Sequence, residues 1–197
     1  MENTEKRMAD NYKIESAFYI NGREIVFGAD EQAELKYMVG CCTVNPVFGF
    51  EQYHDCIAAS DYAEAIREFG QRIKEEAEKA LETQKERGIF ETLTIDDCIP
   101  DSSHENYEGQ LIVIRAGVLQ RDKRTADYQL CRATGGFGCN PNSFGQSVYA
   151  VNIYDGREMR YDRVDVLGVI KPECVPDWAK ERIRQMEQKK HRHEPER

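Results

Sequence analysis

The chain has no C-x-x-C pair, no G-x-S-x-G turn and no H-E-x-x-H run. The first absence excludes the usual closed zinc motifs, in which paired ligands reach one tetrahedral ion. The other two exclude the hydrolase elbow and the zinc-protease helix. Histidine is scarce, at four residues: His54, His104, His191 and His193. The last two sit in a charged tail, and a general base needs a fixed position. No stretch approaches the roughly 18 consecutive apolar residues of a membrane helix. The opening MENTEKRMADNYK is polar and has no apolar h-region, so no secretory signal is expected. Positive charge is also short: 27 basic against 36 acidic side chains, net −9. That balance disfavours a simple basic nucleic-acid binder. Together these absences predict a soluble cytoplasmic protein, not a membrane protein, with no catalytic residue, cofactor or metal identified.

What is present is 197 residues with 40% apolar and 32% charged side chains. This suffices for one ordinary domain or two small ones. Seven cysteines, an odd number, predict reduced thiols rather than a disulfide framework. His54-Asp55-Cys56 offers a possible ligand pair, set against small buried thiols as the simpler reading. Charge is uneven. Residues 1–119 carry 24 acidic and 12 basic side chains, net −12, and residues 120–197 carry 12 and 15, net +3. Such a split points to polarised surfaces: an acidic face for a basic partner and arginines for phosphate.

Along the chain, residues 1–13 are polar and read as a disordered tail. In 14–27, Asn21-Gly22 between two β-prone runs signals a hairpin, because both residues tolerate the positive φ of a tight turn. Asp30–Val39 reads as a short helix, with Asp30 as N-cap and Gly40 as stop. Residues 41–49 read as irregular, with Pro46 and Gly49 as punctuation, and 50–59 as a second short helix. The clearest element is a helix over 61–87. Tyr62, Ile66, Phe69, Ile73, Ala77, Ala80 and Leu81 draw one apolar stripe at helical spacing. Asp61 and Glu64 resemble a capping box, and Gly88 ends the run. The helix should span about 40 Å and lie across a sheet with its far end projecting, in preference to forming a coiled-coil dimer. Residues 89–109 read as an acidic loop. Its paired Asp96 and Asp97 suggest a metal carboxylate less well than a solvated turn.

Strands are predicted over 110–116, 128–134, 147–154, 157–161 and 164–170, with Asp155-Gly156 as a hairpin turn. A last helix opens at Pro176-Asp177-Trp178 and runs to about Gln188, with 189–197 as a frayed tail. The expected fold is α+β: one antiparallel sheet from the N-terminal hairpin and the later strands, the long helix, and a short C-terminal helix packed by Trp178. Residues 14–188 form a single domain, with a possible subdivision into an acidic helical part, 14–109, and a mainly β part, 110–188.

The segment Gly135-Gly136-Phe137-Gly138-Cys139-Asn140-Pro141-Asn142-Ser143-Phe144-Gly145 is rich in glycine. A phosphate cradle needs strand, glycine turn, then helix, so that backbone N–H groups and the helix dipole meet the anion. A strand follows here instead, which excludes dinucleotide and P-loop readings. Three readings remain: a long hairpin loop packed by its phenylalanines, a loop whose Phe137 and Phe144 stack on bases, or a loop presenting Cys139 as a nucleophile.

The second half, from TADYQLCRATGGFGCNPNSFGQSVYAVNIYDG to RVDVLGVIKPECVPDWAKE, resembles small uncharacterised accessory proteins of conjugative elements, plasmids and prophages in gut Firmicutes. FYINGREIVFG and YMVGCCTVNPVFG fit the same pattern, so the resemblance covers roughly residues 15–185. It implies a mobile-element context, where small proteins handle the element's DNA or disarm host nucleases. The first expectation is a non-enzymatic inhibitor of a host defence nuclease, of anti-CRISPR or anti-restriction type. It would bind its protein partner through Glu64, Glu68, Glu75, Glu76, Glu78 and Glu82. The second is a DNA-binding accessory factor acting through residues 120–197, with Arg121, Lys123, Arg124, Arg132, Phe137 and Phe144 as contacts. A cysteine- or metal-dependent enzyme ranks third.

Overall fold

The computed structural model describes residues 7–44, 50–100 and 102–193, with side chains through residue 188. The fold is α+β, as expected, but it holds two antiparallel sheets where one was expected. The chain divides into two compact units, one ending at Gly88 and the other beginning at Ile89.

The first unit is a meander of β1 (Met8–Ala9), β2 (Tyr12–Ile20), β3 (Arg23–Ala29), β4 (Tyr37–Val44) and β5 (Glu51–Ala59), paired in chain order. Asn21 and Gly22 turn β2 into β3 with positive φ, as the sequence predicts. Neither of the two short helices expected after it forms: 30–36 is a turn that leads into β4, and 51–59 is β5. Asp30 does not cap a helix; its carboxylate accepts the Gln32 N–H at 2.9 Å and closes a turn, which an Asp does as readily as it caps a helix. Gly40 is no helix stop either. A Cβ there would lie 2.6 Å from the Cys56 sulfur across the strand pair. The run from Met38 through Cys42 is buried on both faces of the sheet, and continuous burial hides the period-2 signal. β5 then follows β4 because its backbone pairs along nearly the whole strand. Of the tail expected to be disordered, Met8 and Ala9 pair with Lys13 and Tyr12. Residues 1–6 and 45–49 lie outside the described residues.

α1 (Tyr62–Arg87) crosses this sheet. Asp61 accepts the Glu64 N–H at 2.8 Å, and Gly88 closes the helix at φ 64°. The Phe69 ring lies tilted within 6 Å of the Phe18 and Phe27 rings, and Ala65 packs with Ile25 and Val39. The other face of the sheet buries Val26, Met38 and Cys42. Arg7 closes over that face: it pairs with Glu24 and Glu51 and meets Tyr53 Oη at 3.1 Å.

The second unit pairs β6 (Leu111–Ile114), β7 (Leu130–Gly135), β8 (Ser147–Asn152), β9 (Glu158–Asp162) and β10 (Val166–Val169) in the order β10-β6-β7-β8-β9. The last strand thus returns beside the first. The expected loop of 89–109 belongs to this core: Ile89, Leu93, Cys98 and Tyr107 are all buried in it. The unit boundary therefore falls at 88/89, ahead of the subdivision at 109/110. Gln129, fully buried in the one-turn helix α2 (Ala126–Gln129), holds that segment in place. Its carboxamide accepts from Leu93 N–H and donates to the carbonyls of Leu93 and Ile114, all within 3.0 Å. α3 (Asp177–His193) buries Ala179 and packs Trp178 6.0 Å from Tyr154. It extends into the segment expected to fray, while 194–197 lie outside the described residues.

Candidate functional site

Of the six glutamates expected to meet a partner, α1 presents four outward: Glu64, Glu75, Glu78 and Glu82. Glu68 is half-buried and holds Arg72 at 2.8 Å. Glu76 is a correction, because it faces the sheet and is buried. It accepts from Lys79 at 2.7 Å and from Asn21 at 3.4 Å, with Arg23 3.8 Å away. Burial pushes its carboxyl up, but these donors outweigh the burial and leave it below the ordinary range. The helix is also less acidic than its glutamates imply. Lys74 lies 3.8 Å from Glu78, one turn along on the same face. The charge split softens in the same way. Residues 1–88 carry 18 acidic and 11 basic side chains, and residues 89–197 carry 18 and 16, because the acidic segment 89–108 belongs to the second unit.

Among its charged side chains α1 also exposes an apolar one. The last residue it buries is Glu76, yet the stripe continues through Ala77 and Ala80 to Leu81, which is 63% exposed. The strands beneath are seven to nine residues long, about 23–30 Å. A 26-residue helix extends about 39 Å.

The six basic and aromatic candidates of the second unit do not converge. Lys123 lines a cavity of about 250 Å³ with Tyr128, Asp155, Arg157 and Tyr161. Arg132 lines a separate groove against α3 with Lys180 and Arg184, and lies 3.8 Å from Glu187. The Arg124 guanidinium donates to the carbonyls of Leu119 and Gly117, which ties it to its own turn. Arg121 is exposed beside it. Phe144 lies at the rim of a third cavity, while Phe137 is 79% exposed. Two residues not singled out from the sequence form a tighter group. Tyr149, 53% exposed on β8, pairs in register with Arg160 on β9. Gly136, the neighbour of Phe137, lies against the Tyr149 ring. Strand alternation was the available signal: Val148 and Ala150 point inward, so Tyr149 must point out.

The glycine-rich segment is a 3-10 turn, Phe137–Cys139, followed by a loop back to β8. Cys139 is buried and its sulfur donates to the Gly135 carbonyl at 3.1 Å. Burial pushes its thiol up, the opposite of an activated thiolate. Burial likewise raises Cys98 to about 11 and Cys131 to about 12. All seven cysteines are free thiols.

Arg163 is the polar group most deeply committed to this region. It is 2% exposed. Nη1 donates to the Gly138 carbonyl at 2.7 Å, and Nη2 to the carbonyls of Ser103 and Glu105. Its guanidinium lies 3.8 Å over the Tyr107 ring. The cavity it lines, about 300 Å³, also meets Arg115, Ser102, Ile99 and Phe144.

Asp97, one of the paired aspartates, accepts from Thr94 N–H at 2.7 Å and from its hydroxyl at 3.0 Å. It caps a turn. Metal-ligating groups gather elsewhere. Cys41, His54 and Asp55 each bring a donor atom to within 4.8 Å of the other two. The ligand pair expected from His54-Asp55-Cys56 thus gains a cross-strand cysteine in place of Cys56. Among the described residues no helix is long and apolar enough to cross a membrane. Comparison of the chain with protein-family models, with curated proteins and with solved structures gave no match.

Proposed function

We propose that this protein acts by macromolecular contact, as a non-enzymatic inhibitor of a host nucleic-acid-targeting defence nuclease of anti-CRISPR or anti-restriction type. The observation that carries this reading is the distal part of α1. Leu81 stands 63% exposed, with Glu75, Glu78 and Glu82 exposed around it. An apolar anchor within a charged rim is how protein interfaces concentrate their energy. The rim is mixed, with Lys74 3.8 Å from Glu78 and Lys85 exposed one turn from Leu81, and its glutamates suit basic side chains lining a nucleic-acid channel on the partner. A mobile-element context and a cytoplasmic location are part of the same proposal.

The test is target-DNA cleavage by a panel of CRISPR effectors and restriction nucleases with the purified protein added. Cleavage by at least one is expected to fall. Leu81→Glu should then weaken inhibition by about 2 kcal/mol, roughly thirtyfold. Its far-UV circular dichroism should be unchanged, because Leu81 packs against little. Undiminished cleavage throughout the panel, or full potency in the Leu81→Glu protein, would overturn the proposal. Glu76 is left out of any charge reversal, since its partners are internal.

A second reading rests on Phe137, Tyr149 and Arg160. Exposed aromatics beside an arginine on an antiparallel sheet suit single-stranded nucleic acid: the rings stack on bases and the guanidinium meets phosphate. Anisotropy with a labelled single-stranded oligonucleotide at low salt should then show binding, about tenfold weaker for Tyr149→Ala. Arg160→Ala should lower the salt slope by about one. A flat anisotropy trace removes this reading.

A further inference from the structure

The geometry points to a binding site for one borderline-soft divalent metal ion, such as zinc, built from Cys41, His54 and Asp55. A thiol, an imidazole and a carboxylate are the donor types that zinc takes. The residues come from adjacent strands and are brought together by a defined irregularity. Cys41 on β4 stands opposite His54 on β5, and the register shifts between this pair and Val39–Ile57. The shift is a bulge: β5 advances three residues where β4 advances two. Asp55 occupies it at φ 52°, a left-handed conformation unusual for a residue with a side chain. Arg72 of α1 donates to the Asp55 carbonyl at 2.7 Å and secures the bulge. Without the extra residue, strand alternation would send His54 and Asp55 to opposite faces of the sheet.

The spacing suits a single ion. His54 Nδ1 and Asp55 Oδ2 are 3.0 Å apart, close to the edge of about 3.3 Å between two ligands of a tetrahedral zinc. Burial grades from Cys41, 7% exposed, through the half-buried His54 to the exposed Asp55. The ion would be anchored on the inside and open to solvent on the outside, with water in the fourth position. On binding, a metal–sulfur bond replaces the Cys41 S–H bond and the proton passes to solvent. Thiolate and carboxylate then neutralise the dication. Arg72, the cation bonded to the bulge, already holds Glu68 at 2.8 Å. Cys56 is not part of the site. Its sulfur lies over Gly40, whose strand position faces away from Cys41.

Cobalt(II) added to the full-length protein is the direct probe, because a cobalt–thiolate bond gives an intense near-ultraviolet charge-transfer band. The expected result is such a band saturating at one cobalt per chain and displaced by zinc. Cys41→Ser should abolish it, and Cys56→Ser should leave it unchanged. His54→Ala should weaken cobalt binding at least about tenfold, since even outer-sphere partners of metal ligands contribute that much. Circular dichroism checks that each variant is folded. Absence of the band in the parent protein overturns the site. So does a band that survives Cys41→Ser, or cobalt affinity unchanged in His54→Ala, a half-exposed position whose loss leaves the core intact.

Discussion

Arg163→Ala is expected to remove about 3 kcal/mol or more from the stability of the second unit. Three carbonyls, on Gly138, Ser103 and Glu105, take their hydrogen bonds from this one guanidinium. A buried acceptor left without its donor costs about 1–3 kcal/mol, and truncating the side chain also leaves a cavity beside Tyr107. One effect runs the other way: Nε has no hydrogen-bond partner, so the variant also removes an unsatisfied buried donor. Arg163→Met tests the balance, because it keeps most of the volume and removes the charge. Its loss should be smaller than that of Arg163→Ala. Arg163→Lys should fall between wild type and alanine, since a point-like ammonium cannot reach three carbonyls in the geometry of a planar fork. Trp178 is the only tryptophan and lies in this unit. Its fluorescence in a urea titration therefore reads the effect as a shift of midpoint at constant slope. A midpoint for Arg163→Ala within error of wild type would show that the clamp contributes nothing.

Gly138→Ala should be comparably damaging, at about 3 kcal/mol by the same measurement. A Cβ at this position would sit 2.3 Å from the Gln146 carbonyl oxygen and 2.8 Å from the carbonyl carbons of Gln146 and Ser147. All three are backbone atoms and cannot rotate aside. Gly145→Ala is the control. That residue has φ 75° but open space around it, so only the left-handed backbone penalty of about 1–2 kcal/mol applies. If the two variants were equally stable, close approach would not be what requires glycine at 138. The glycine-rich segment thereby gains a physical account that needs no anion. Its backbone lies directly against the chain leading into β8, and Arg163 holds both: its guanidinium donates to the Gly138 carbonyl and its backbone N–H to the Gln146 carbonyl.

Features governed by neighbours in the chain were legible beforehand. The long helix declared itself through Asp61, Gly88 and a stripe recurring every three or four residues. The two hairpins declared themselves through Asn21-Gly22 and Asp155-Gly156. These signals are local, because a cap or a positive-φ turn is satisfied within a few residues. Asp30 and Gly40 misled for the same reason. An Asp that closes a turn and a glycine that admits a cross-strand sulfur look, one residue at a time, like the ends of a helix. The run between them is a turn up to Lys36 and strand from Tyr37, because β3 and β5 pair with it there, and pairing is not written in the run itself.

The candidate sites divide along the same line. Glutamates on α1 could be counted in the sequence, but Glu76 turns inward because the β2–β3 hairpin places Asn21 and Arg23 beside it. Lys123, Arg132 and Phe144 are within 22 residues of one another, yet the sheet order delivers them to three different cavities. Cys41 and His54, by contrast, are brought side by side by strand pairing, and the bulge adds Asp55. Sequence alone determined an α+β chain with one long amphipathic helix, because periodicity and capping are properties of consecutive residues. Tertiary structure decided that there are two sheets and which side chains meet, because register and sheet order depend on contacts between residues far apart in the chain.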